Sequence, residues 1–211
     1  MKPYYLLALL AGLGLGLPAT AQVVSFADKG LGLGLGYTRP RTDWQTGYEP
    51  ALQTSGLSIG LIHDLTSAEN GVGLTCFFNA GQVRNGFFLS PMLCDADTLR
   101  GVALTSFLGG RRLSGLLVGL AYVGGGGLLR ERPHEECQQL NGLAISYVHV
   151  QAQTLNGVAV ASYVRSRRQR GLTVALLNRT TELHGVQLGL LNYAGNNPRG
   201  LRWLPGLNLH W

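Results

Sequence analysis

Bulky apolar and small residues alternate along most of this chain, in runs of about eight residues that each open on glycine. Gly71, Gly86, Gly101, Gly115, Gly142, Gly157, Gly171, Gly185 and Gly200 are spaced by 15, 15, 14, 27, 15, 14, 14 and 15 residues. The residue after each glycine is Val72, Phe87, Val102, Leu116, Leu143, Val158, Leu172, Val186 or Leu201. Two positions further on stand Leu74, Leu89, Leu104, Val118, Ile145, Val160, Val174, Leu188 and Trp203. All eighteen are apolar, while the positions between them are mostly Gly, Ala, Ser or Thr. A period of two defines strands with one bulky and one small face, and a fixed spacing over most of a chain defines a repeat architecture. The β-branched content and the glycine spacing exclude helix.

The connecting segments read as turns. Residues 79–82, Asp95-Ala-Asp97, Gly109–Arg112, Arg165–Arg170 and Ala194–Arg199 hold the Gly, Asn, Asp and Pro of turn chemistry and nearly all of the charge. The nine eight-residue runs contain one formal charge, Arg202. Two earlier strands are expected at Gly32–Tyr37 and Gly56–His63. The 27-residue gap is close to twice the period and predicts a degenerate unit near Gly125–Glu136, for about twelve strands in all. Two longer insertions, Thr38–Ser55 and Val123–Asn141, have the length of functional loops.

Composition sharpens this picture. Only 13% of residues are charged and 31 are glycine, both unusual for a soluble domain. Lys2, the apolar run Tyr4–Leu17 and the small-residue end Ala19-Thr-Ala21 form a secretory signal peptide, residues 1–21, to be cleaved after Ala21. The remainder, 22–211, is expected to be a single β-repeat domain. No later stretch is long and apolar enough for a transmembrane helix. The net charge of +6 is carried mostly by arginine, most densely at Arg165, Arg167, Arg168 and Arg170. Export and the lack of any nucleic-acid motif argue against nucleic acid as the partner, and solvated turns or an anionic surface glycolipid fit better.

A strand every 14–15 residues suits two architectures. In an antiparallel up-and-down β-barrel each unit is one strand and one turn, with bulky residues on lipid and small ones facing a lumen. Aromatics toward strand ends and the closing Leu207, Leu209 and Trp211 resemble a bacterial outer-membrane barrel. In a parallel β-solenoid each unit is one coil, with the bulky face as core and a hydrated exterior. The outer face such a solenoid would present is dry, so the barrel of about 12 short strands is the leading expectation and the solenoid the alternative.

Little chemistry is on offer. His134-Glu135-Glu136-Cys137 has metal-ligand types, but adjacent loop residues cannot all face one ion. Cys76 sits mid-strand on the bulky face and reads as a small apolar residue. Cys94 and Cys137 either pair in an oxidising compartment or stay free. The histidines are scattered, with His149 and His184 read as polar boundary residues. Gly32-Leu-Gly-Leu-Gly36 and Gly124–Gly127 lack the lysine and the helix of a phosphate loop. Asn178-Arg-Thr180 has the form of a glycosylation sequon and is read as a turn. No catalytic, cofactor-binding or metal residue is assigned, and the chain is not expected to be an enzyme.

The units Gly171–Asn178 and Gly185–Asn192 and the tail from Asn192 resemble uncharacterised glycine-strand surface-repeat proteins of Gram-negative bacteria, which carry serial G-V-Q-x-G-x-x-N. The likeness is good over 142–211 and loose upstream, and the motif's glutamine survives only as Gln187. The resemblance implies an envelope or surface location and no activity. The expectation is therefore an outer-membrane or cell-surface protein with a structural or small-pore role. The other reading is an exported solenoid that binds a glycan or protein. Membrane lipid or surface glycolipid is the expected partner.

Overall fold

The computed structural model describes residues 20–26, 31–38, 54–64, 68–125 and 136–211, and the surroundings of side chains for 57–59, 68–125 and 136–211. Residues 1–19 of the expected signal peptide and residues 39–53 of the expected first loop lie outside these residues, while the peptide's last two, Thr20 and Ala21, begin the first strand. Seven strands make up one sheet: β1 (Thr20–Phe26), β2 (Leu31–Thr38), β3 (Thr54–Asp64), β4 (Ala68–Gly124), β5 (Gln139–Ser146), β6 (His149–Ala194) and β7 (Trp203–His210). The described residues are all-β, with one three-residue 3₁₀ turn at Arg199–Leu201 and no α-helix.

The two long strands fold back on themselves. β4 has 57 residues, which at about 3.3 Å each would run roughly 190 Å if straight. Instead, successive stretches lie against one another with glycine over glycine. A Cβ added to Gly101 would stand 2.0 Å from the Gly86 carbonyl oxygen, and one on Gly157 would stand 2.2 Å from that of Gly142. The pairings between strands keep the same register: Gly56 on Gly71, Gly115 on Gly142, Gly142 on Gly157. All of these are parallel.

The expected antiparallel up-and-down barrel is thereby corrected. β2–β3, β3–β4, β4–β5 and β5–β6 pair in parallel, and only β1–β2 and β6–β7 are antiparallel. The sheet is mixed and not a closed barrel, since β7 pairs with β6 rather than with β1. The glycines explain the preference. Those at 71, 86, 101, 115, 142, 157, 171 and 185 have φ between 107° and 146°. This conformation is almost closed to residues with a Cβ, and it lets one backbone approach the next. Gly200 does not join the column: it lies in the 3₁₀ turn with nothing within 4 Å of its would-be Cβ. The predicted strand at Gly200 is replaced by β7, which begins at Trp203.

Gly115 pairs directly with Gly142, so their two runs are neighbours in the sheet; the degenerate unit is the one expected near Gly125–Glu136. Most of that segment, 126–135, lies outside the described residues. The strands predicted at Gly32–Tyr37 and Gly56–His63 correspond to β2 and β3. Four of the five expected turns are extended backbone within β4 and β6; only 194–199 is irregular.

The faces are also reassigned. The small face is buried, with Ala103, Ala144, Ala159 and Thr173 fully so. The bulky face points out, with Leu89, Ile145, Val160, Val174 and Leu188 each 37–38% exposed. Bulk in the interior comes instead from segments read as turns. Leu99, Leu113, Leu140, Leu155 and Leu183 each stand two residues before a glycine and are fully buried. Opposite run Leu108, Val123, Val150 and Val164. A turn of 14–15 residues encloses little space, so large side chains on these two columns leave room only for small ones on the third.

Polar residues occupy the interior at both ends. Near the start, Glu69 accepts from Ser58 Oγ and pairs with Arg84 Nε at 3.3 Å, both charges almost wholly buried. Arg84 also donates to Asn79 Oδ1 at 2.8 Å and to the Ala80 carbonyl at 2.5 Å. A buried pair of this kind depends on its surrounding hydrogen bonds, here from Ser58 to Glu69 and from Arg84 to Asn79 and Ala80, while Glu69 Oε2 meets Arg84 as an ion pair without a hydrogen bond. Near the end, Asn178 donates to Asn192 Oδ1 at 2.7 Å, and Gln187 to Gln169 Oε1 at 3.0 Å. β7 closes this end: buried Asn208 receives Asn197 Nδ2 at 2.7 Å and donates to the Asn192 carbonyl at 3.5 Å.

Candidate functional site

Two surfaces of opposite character result from this winding. The first is the outward bulky face of the sheet. Its columns one and three residues after each glycine are apolar from Val72 to Leu188, and beyond them Leu120, Leu176 and Leu190 are 58–73% exposed. Exposed apolar side chains that recur on neighbouring strands in this way are the pattern of a surface that meets a partner or lipid. Arginines border it: exposed Arg100 and Arg170 directly precede their glycines, while Arg165 and Arg179 line the far edge. At that edge His149 stacks on Tyr163 at 4.8 Å and meets Tyr122 edge-on at 5.5 Å. Burial, and then the positive charge of Arg165, hold the His149 pKa below its usual value. The imidazole between the two tyrosines is therefore neutral at pH 7.

The second surface is a polar groove of about 340 Å³ on β6. Ala152 and Ser166 turn their side chains inward, so the backbone there forms a floor between two outward columns. One column is Gln151, Arg165 and Arg179; the other is Gln153, Arg167 and Thr181. Glu136 stands at one end and accepts from Gln153 Nε2 at 3.3 Å. Arg179 lies over the Tyr193 ring, 5.9 Å from its centre. Arg168 faces away to Glu182 at 2.7 Å, and that hydrogen bond, with the charge of Arg168, lowers the Glu182 pKa.

The sequence-level candidates separate. Of His134-Glu-Glu-Cys137, the first two lie outside the described residues, Glu136 is exposed and Cys137 is buried. No group of three metal-ligand side chains occurs among the described residues. Cys94 and Cys137 are both free and buried, and burial pushes each thiol up to about 12, so they are inert at neutral pH. Cys76 is exposed on the bulky face. Gly32–Gly36 is interior to β2, and Gly124 ends β4, with Gly126 and Gly127 outside the described residues. Asn178 is buried inside β6, so its sequon is no turn. His184 is exposed, 6.1 Å from His210.

Of the arginine cluster, the winding brings Arg165 and Arg167 into the groove with Arg179 from the next turn, and leaves Arg168 and Arg170 outside. Reading the sequence across the runs, not along the arginines, finds this set, because 151, 165 and 179 and likewise 153, 167 and 181 are 14 apart. No family model, curated protein or solved structure matches the chain.

Proposed function

We propose that the chain is an exported, non-catalytic surface protein whose units stack as coils of a parallel β-solenoid and whose apolar sheet face lies on a membrane lipid surface. The outward orientation of the bulky columns carries this reading. In water, half-exposed Val, Leu and Ile on every coil are a standing cost; against acyl chains the same area is a gain of about 25 cal/mol per Å². The bordering arginines would sit at headgroup level and favour anionic lipid. A location at the cell surface or outer membrane accords with the signal peptide expected at 1–21. The reading keeps the structural role and does without a pore, since the sheet of the described residues is mixed and not a closed barrel.

Flotation with phosphatidylglycerol-containing vesicles tests the seating. The protein should rise with the vesicles. Val160→Glu, on the face, should weaken binding by about 2 kcal/mol, more than tenfold, with the circular dichroism unchanged. Thr98→Glu, away from the face, should bind as the parent does. A parent protein that stays in the aqueous fraction, or equal loss from both variants, overturns the proposal.

A further inference from the structure

The polar groove on β6 has a composition that neither a lipid face nor a solvated surface requires. We infer that it binds an acidic saccharide, the anionic group resting between Arg165 and Arg179 and the hydroxyls between Gln151, Gln153 and Glu136. Three features point to this ligand class.

The first is the spacing of the cations. Arg165 and Arg179 occupy the same place on successive turns, and neighbouring strands lie about 4.8 Å apart. Two guanidinium groups side by side at that distance repel each other unless an anion stands between them. Neither makes an ion pair with a described carboxylate, in contrast to Arg168, which is engaged by Glu182. A phosphate or carboxylate held in two forks offsets this repulsion, and arginine geometry suits both.

The second is the polarity of the remaining lining. Gln151 and Gln153 each offer a donor and an acceptor, and Thr181 a hydroxyl. Sugar hydroxyls need paired donors and acceptors of this kind; an inorganic ion needs none. The third is Glu136. Its carboxylate at the groove's end repels a chain of closely spaced phosphates such as nucleic acid, but accepts well from hydroxyls. The three arginines and one glutamate admit a ligand with one or two anionic groups and many hydroxyls.

The same chemistry is offered by a free phosphosugar and by the headgroup of a phosphorylated glycolipid, and both are tested. In calorimetric titrations glucose 6-phosphate should bind saturably, glucose should not, and inorganic phosphate should bind more weakly. Arg165→Gln combined with Arg179→Gln should reduce the affinity for glucose 6-phosphate at least about tenfold, while Arg168→Gln leaves it unchanged. Saturable binding in solution identifies the free sugar as sufficient. Stronger capture by vesicles carrying a phosphorylated glycolipid than by phosphatidylglycerol vesicles of equal charge, with that surplus lost in the double variant and no saturable binding of the free sugar, identifies the lipid-linked headgroup. Val160→Glu should retain sugar binding, so failure of the lipid-seating proposal leaves this one standing. Absence of binding in both arms overturns the inference. So does equal binding of glucose, or equal loss on Arg168→Gln, which would mark unspecific charge attraction.

Discussion

At the scale of single residues, the glycines decide how the chain packs. Eight of the nine sequence-periodic glycines take positive φ, and along the column a side-chain carbon would meet the preceding glycine's carbonyl oxygen at 1.9–2.4 Å. Gly157→Ala should therefore destabilise the protein by about 3 kcal/mol or more, combining a disfavoured backbone with a collision against Gly142. Gly200→Ala, where the space is open, should be close to neutral. Urea unfolding monitored by circular dichroism measures both, and similar losses at the two sites would refute the close stacking. The sequence displays the glycine spacing openly but not its purpose, because a turn glycine and a stacking glycine look alike. Which face is buried was likewise hidden. Val158-Ala-Val160 marks two faces equally well in either orientation, and the choice falls to Leu155, three residues earlier, which fills the interior and leaves Ala159 only a small space.

At the scale of elements, the strands are longer than their apolar runs. Gly109–Arg112 and Arg165–Arg170 have turn composition, yet they continue as extended backbone because parallel neighbours supply hydrogen-bond partners at every step. An antiparallel hairpin would have required reversals there; the dry small-residue face that favoured the barrel over a solenoid with a hydrated exterior is the face that the strands turn inward. β7 is the exception and works as a cover. It lays Leu188 against Leu207 and Tyr193 against Trp203, and its Pro205 removes an N–H donor from the free edge. Deleting Leu204–Trp211 should leave the preceding turns folded but expose the edge of β6, which then pairs with another chain. Light scattering should show dimers or larger species with β circular dichroism kept. Global unfolding of the truncated chain would show instead that the sheet depends on β7 throughout.

At the scale of the whole molecule, the strand pairings among the described residues join sequence-adjacent strands, apart from a short β4–β6 pairing at Tyr122 and Val123. In a stack of coils, stability is close to a sum of unit and interface terms. Removing one complete unit, Gly171–His184, should bring Gly185 onto Gly157 and give a folded protein with a lower melting temperature. Removing Gly171–Leu177 shifts every later residue to the wrong side and should abolish folding of the chain from Asn178 onward. Thermal unfolding by circular dichroism separates the two, and indistinguishable outcomes would contradict stacking by units. The all-β class, the repeat spacing and the two-faced strands were legible in the sequence. The direction of pairing and the groove were not, since both depend on which residues meet across a turn.

The direct pairing of Gly115 with Gly142 carries an evolutionary consequence. The glycine register is the same on both sides of the segment between Gly125 and Glu136: Gly115 stands on Gly142, and Gly142 on Gly157. Selection can thus exchange, lengthen or shorten that segment while every buried column stays unchanged. A lineage can vary the length and content of this segment, much as a tool handle accepts different heads, with the glycine column left in register.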